Sequence, residues 1–132
     1  MKTNFLLMIS AILLTVGMTS LAHAAPGGTR LVQVGISDVF VPAGFDSNSE
    51  VYVVASGVFP NGCYRWSHAE VSHREKNVHE VRSMANVSQG MCIIVLVPFS
   101  KPVKLGKFSP GKHTLRFVNG DGTYLEKNLA IE

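Results

Sequence analysis

Nine consecutive residues, Met91–Phe99 (MCIIVLVPF), constrain the fold more than any stretch beyond the N-terminus. The run is too short to cross a bilayer as a helix, which needs about 20 apolar residues. Ile93, Ile94, Val95 and Val97 are β-branched, so the composition favours a strand. A strand with one wet face alternates apolar and polar residues, and this one does not. Both of its faces are therefore expected to be covered. The run predicts the central strand of a small β-protein, tied through Cys92 to the chain around Cys63.

The first 24 residues are expected to be removed before folding. Lys2 supplies a positive start, Phe5–Val16 an apolar segment and Ala22-His23-Ala24 a small-x-small cleavage site. That layout is a secretory signal peptide, and its short form resembles bacterial export signals. The expected product is a single domain, residues 25–132, in the periplasm or secreted, with no membrane association once the signal is gone. Removing Lys2 leaves 11 Lys and Arg against 9 Asp and Glu, a net charge of +2. That is too mild to suggest a nucleic-acid partner. Two cysteines in an exported chain predict one disulfide, Cys63–Cys92. Closing a loop of about 30 residues stabilises by on the order of 3–4 kcal/mol in the chain-entropy treatment.

Turn signals divide the rest into short strands. Leu31–Val41 alternates with a break at Ser37-Asp38, and Glu50–Val58 alternates through Val51, Val53 and Ala55. Pro60-Asn61-Gly62 marks a turn. Cys63–His73 and Val78–Met84 read as a hairpin, Ala85–Gly90 as a loop and Val103–Leu105 as a short strand. Lys112–Val118 places His113, Leu115 and Phe117 inward, and Asn119-Gly120-Asp121-Gly122 leads into Thr123–Ile131. Seven or eight short strands with no helical stripe predict an all-β antiparallel sandwich.

The spacing resembles the immunoglobulin-like sandwich of bacterial exported domains. Val103–Val118 resembles its E-strand, Pro-Gly turn and F-strand, and Trp66 beside Cys63 resembles its core tryptophan. The corner tyrosine is missing, with His113 nearest its place. Cys92 precedes the E-like strand, so the bridge is not the usual one of that fold. The resemblance implies a fold, not an activity.

No catalytic motif is present: no Gly-x-Ser-x-Gly, no His-Glu-x-x-His and no phosphate-binding glycine loop. An enzyme is not expected, nor a cofactor. His68, His73 and His79 raise a periplasmic copper or zinc site as the alternative. A hairpin turning at Glu75-Lys76 pairs His73 with Val78 and Ser72 with His79. It thereby sends His73 and His79 to opposite faces. His68 then sits roughly 13 Å along the strand, so solvated histidines are expected, unless the register slips by one. His113, on an inward position, is expected to be a core residue with a hydrogen-bond partner.

Two surfaces remain as binding candidates. Phe59, Pro60, Asn61, Tyr64, Arg65 and Trp66 surround a turn held by the disulfide. Strict alternation puts Tyr64 and Trp66 on one face and Ala69 and Val71 on the other, so both sets reach the core only through a bulge near Ser67. Lys101, Lys104, Lys107, Lys112, Arg116 and Lys127 form a basic cluster, expected mainly to be solvated and to blunt strand edges. The expected function is that of a non-catalytic binding domain, for a protein partner or for a second copy.

Overall fold

The computed structural model of the protein describes residues 27–132, so the expected signal segment and its cleavage site lie outside the described residues. Eight strands form: β1 (Thr29–Val34), β2 (Asp38–Phe40), β3 (Val51–Phe59), β4 (Tyr64–Glu75), β5 (Val78–Ser88), β6 (Val97–Gly106), β7 (Gly111–Val118) and β8 (Tyr124–Ile131). They make two sheets packed as a β-sandwich, with Cys63 and Cys92 bridged at a Cα separation of 5.3 Å.

The larger sheet is built around β5. β4 pairs along one edge of it. The other edge is shared: β7 pairs with Val78–Arg82, and β1 pairs with Ser83–Ser88. Side chains join β1 to β7 where they meet, through Gln33 Nε2–H to the Val118 carbonyl at 2.7 Å and the Ile36 N–H to Asn119 Oδ1 at 3.0 Å. β8 completes the sheet, and β2, β3 and β6 form the smaller one. The β5–β7 pairing is parallel, unlike the all-antiparallel expectation. The reason is the path of the chain. After β5 it reverses into β6 on the other sheet and reverses again into β7, so β7 runs in the direction of β5.

The inward faces follow the period of two. On β3 these are Val51, Val53, Ala55, Gly57 and Phe59; on β7 they are His113, Leu115 and Phe117. Leu129, Ile131, Val81, Val103 and Leu105 close the core. Phe59 and Phe99 stack with ring centroids 4.3 Å apart, and Trp66 lies 5.6 Å from Phe99. The bulge that this packing requires is present. Trp66 pairs with Ala85 and His68 with Met84, leaving Ser67 as the extra residue. Tyr64 and Trp66 on one side of it, and Ala69 and Val71 on the other, therefore all pack on the core.

The central-strand expectation for Met91–Phe99 is overturned. Only Val97–Phe99 is strand, at the start of β6, and Met91–Leu96 is an irregular arch with exposed apolar side chains. A strand needs a partner, and the partner stops. β3 ends at Phe59, which pairs with Val97, and then turns away through Pro60-Asn61-Gly62. Upstream of Val97 no neighbour offers a ladder, so composition alone does not produce a strand.

Gly57 is needed where β3 passes under Phe99. A Cβ there would lie 2.6 Å from Phe99 Cζ and 2.9 Å from the Gly35 carbonyl oxygen. Gly57→Ala is expected to destabilise by about 1–3 kcal/mol through overpacking, read as a lower urea midpoint; an unchanged midpoint would contradict this packing.

Candidate functional site

The arch is held at both ends. Cys92 is bonded to Cys63, and the Ile93 carbonyl accepts N–H bonds from Gly62 at 2.9 Å and Val95 at 3.0 Å. The Ser88 N–H donates to the Cys63 carbonyl at 3.0 Å, fixing the end of β5 to the same turn. Between these ties the side chains point to solvent. Met91 is fully exposed, Ile94 is 92% exposed, and Ile93, Val95 and Leu96 are at least half exposed. The chain enters the described structure beside the arch, where the Gln89 N–H donates to the Gly28 carbonyl at 3.3 Å.

Beside the arch, an open groove of about 400 Å³ runs between β4 and β6. It divides the turn residues expected to bind a partner. Phe59 is core, buried between Phe99 and Tyr64. Asn61 is structural, its Oδ1 accepting the Cys63 N–H at 2.9 Å. Pro60 and Arg65 are exposed, while Tyr64 and Trp66 are half-buried and line the groove with Arg65 and Lys101.

The histidines are arranged by a register that differs from the expected one. The β4–β5 turn is Lys76-Asn77, and a second bulge at Arg74 pairs His73 with His79. The two rings share a face, with Nδ1 atoms 2.6 Å apart. His79 Nε2 lies 2.9 Å from His113 Nδ1, and His113 Nε2 lies 2.8 Å from the Ser109 carbonyl. A carbonyl only accepts, so His113 Nε2 donates to it, and for three neutral rings the other proton positions follow along the chain. His113 donates from Nε2 and accepts at Nδ1. His79 donates from Nε2 and accepts at Nδ1. His73 donates from Nδ1 and keeps a free lone pair on Nε2. Phe108 packs 4.5 Å from His79 and 5.2 Å from His113, centroid to centroid.

This is a chain, not a convergent ligand set, because His79 uses a different nitrogen toward each neighbour. Among the described residues, no three His, Cys, Asp or Glu side chains are placed to hold a metal ion. His68 is outside the chain; it is exposed, bonded to Ser67 Oγ at 2.8 Å and 3.5 Å from Glu70. His113 is buried and bonded, as expected of a core histidine.

The basic residues do not gather on one face. Lys101 and Lys104 are on β6 of the smaller sheet, whereas Lys112 and Arg116 are on β7 of the larger one. Arg116 is paired with Glu126 at 2.9 Å and Lys127 with Asp38 at 3.2 Å. Lys107 follows β6 and lines the histidine cleft.

A family model described as ORF11 beta-sandwich domain matches residues 53–128, more than half of the chain. The chain belongs to the ORF11 beta-sandwich domain family. No curated protein and no solved structure matches it. The matched stretch of this ORF11 beta-sandwich domain runs from β3 into β8 and contains the disulfide, the arch and all three chained histidines. β1 and β2 lie before it.

Composition reads the arch as buried, and an unbulged hairpin keeps His73 apart from His79; the structure reverses both. The first reversal has a signal in the sequence: Pro60-Asn61-Gly62 ends the strand that Met91–Leu96 would need. The second depends on a bulge at Arg74, which no turn residue announces.

In this ORF11 beta-sandwich domain, burial, then His73 and then His113, hold His79 down at about 4 from its usual 6.5. The unfolded chain therefore takes up a proton first as pH falls. Stability contributed by the neutral ring is complete above pH 6.5 and is lost as pH drops toward 4, by up to about 3 kcal/mol. His79→Gln keeps a donor for His113 and cannot titrate. Urea midpoints at pH 7 and pH 4.5 should differ more in the wild type than in this variant; equal differences would contradict a buried, neutral His79.

Proposed function

We propose that this chain is an exported, non-catalytic binding domain that attaches through the Met91–Leu96 arch. One observation carries the reading: five apolar side chains stand in water on a loop that a disulfide and backbone bonds hold in place. Exposing them weakens solubility, and a cross-linked loop that keeps them exposed is a surface for contact. The N-terminal signal pattern and the paired cysteines support export.

The rest of the surface supports attachment rather than catalysis. Among the described residues, the hydrogen-bonded partners of the histidine chain are its own rings and the Ser109 carbonyl, so no Ser, Thr or Cys side chain is bonded to it as a nucleophile. Pairing of a second copy along the open edge of β6 is opposed by Pro98, Pro102, Lys101 and Lys104. The immunoglobulin-like reading is retained for the general mode, a loop presented from the end of a sandwich. Half-buried Trp66 supports it, and the parallel β5–β7 pair departs from it.

The test compares wild type with Ile94→Ser/Leu96→Ser, both produced in the source cells. The variant should keep its melting temperature, since both side chains are exposed. In fractionated extract the wild type should run in a larger particle, or with the membranes, and the variant as the free domain. Identical behaviour of two folded proteins would contradict the reading.

A further inference from the structure

The arch and its surroundings carry a more specific reading of the same binding surface, and it rests on the proposal above. We propose that the arch is a membrane-surface anchor: Met91 and Ile93–Leu96 insert into the interfacial layer of an anionic bilayer, and Arg30, Arg65 and Lys101 meet its headgroups.

The shape of the arch points first to a bilayer. Ile93, Ile94, Val95 and Leu96 are consecutive, and all four are exposed. In a strand, half of them would turn to each face. In this irregular loop all four consecutive side chains are at least half exposed, so no single face holds them. A flat protein surface would cover one side and leave the others in water. Insertion into a bilayer covers all of them together. The backbone is prepared for it in part, because the Ile93 carbonyl already has two N–H partners and the Gly62 and Val95 N–H groups are satisfied.

Charge points the same way. The segments that meet at this end of the sandwich, 28–31, 58–66 and 86–101, contain no Asp or Glu. Three exposed bases lie here. Arg30 pairs with Val87 of β5, Arg65 pairs with Asn86, and Lys101 shares the groove with Arg65 and Val97. An apolar tip with a cationic, carboxylate-free surround matches an anionic lipid surface. The carboxylates of the protein are all in other segments, Asp38 and Glu70 among them.

Gly28 is bonded to Gln89, two residues before Met91. The described chain therefore begins beside the arch. The proposed anchor departs from the sequence-based expectation of no membrane association after signal removal, and the experiment below decides between them.

The experiment uses protein isolated after export, and wild type and variants share one N-terminus, so differences report the arch. Each is sedimented with vesicles of phosphatidylethanolamine and phosphatidylglycerol (3:1) and with phosphatidylcholine vesicles, at low and high salt. Wild type should partition to the anionic vesicles at least ten-fold more strongly than Ile94→Ser/Leu96→Ser. Arg65→Gln/Lys101→Gln should weaken binding several-fold, and high salt should do the same. In Ile94→Trp, the added fluorescence should shift to the blue and be quenched by brominated lipid, a readout that needs no comparison of stabilities. Equal sedimentation of wild type and the Ser variant, or added fluorescence in Ile94→Trp that anionic vesicles leave unmoved, overturns the anchor. If the Ser variant nevertheless leaves a larger soluble particle in cell extract, the arch binds a protein and the broader reading stands. If it changes neither, both readings fall.

Discussion

The Cys63–Cys92 bridge fixes the end of the sandwich on which the functional reading rests. It joins the turn after β3 to the segment between β5 and β6, two places that the fold brings together but that secondary structure alone does not bind. Directly beneath it, Phe59, which begins the shared ladder of β3 and β6 opposite Val97, stacks on Phe99. Cross-link and stack together leave Met91–Leu96 a fixed start, a fixed end and no strand to pair with. An arch follows from those constraints. Its apolar side chains face water because the core under it is already filled by Phe59, Phe99 and Trp66.

The histidine chain occupies the other end of the β4–β5 hairpin and has a different physical character. Its three rings satisfy one another in series and end on a backbone carbonyl, with Phe108 as the lid. Buried polar groups of this kind are stable only when every member is bonded. Ser83 is the contrast: its hydroxyl is buried without a hydrogen-bond partner. The chain links β4, β5 and β7, so it secures the parallel β5–β7 pairing near the point where that pairing starts. In the fold it ties three strands of the larger sheet together, whereas the arch packs its side chains on none of them.

Much of the fold was legible in the sequence. Alternation placed β3, β7 and β8, turn residues placed the hairpins, and the bulge at Ser67 followed from asking how Tyr64, Trp66, Ala69 and Val71 could all be buried. The rest was hidden for specific reasons. Apolar, β-branched composition reports what a segment would do with a partner, and it does not report that Met91–Leu96 has none. A bulge at Arg74 shifts the hairpin by one residue, and one residue exchanges the faces of a strand. That single shift turns His73 and His79 from opposed residues into neighbours. The parallel pairing depends on which sheet each strand joins, a matter of long-range packing that local pattern does not encode.

Methionine oxidation tests the central claim most directly, namely that the arch stands free of the fold that holds it. Met91 is fully exposed on the arch, and Met84 is half-buried on β5. The native protein would be treated with dilute peroxide and the peptides followed by mass spectrometry over time. Met91 should oxidise at the rate of a free methionine and Met84 at least several-fold more slowly. Protection of Met91 equal to that of Met84 would mean that Met91–Leu96 is covered, and would contradict the free arch.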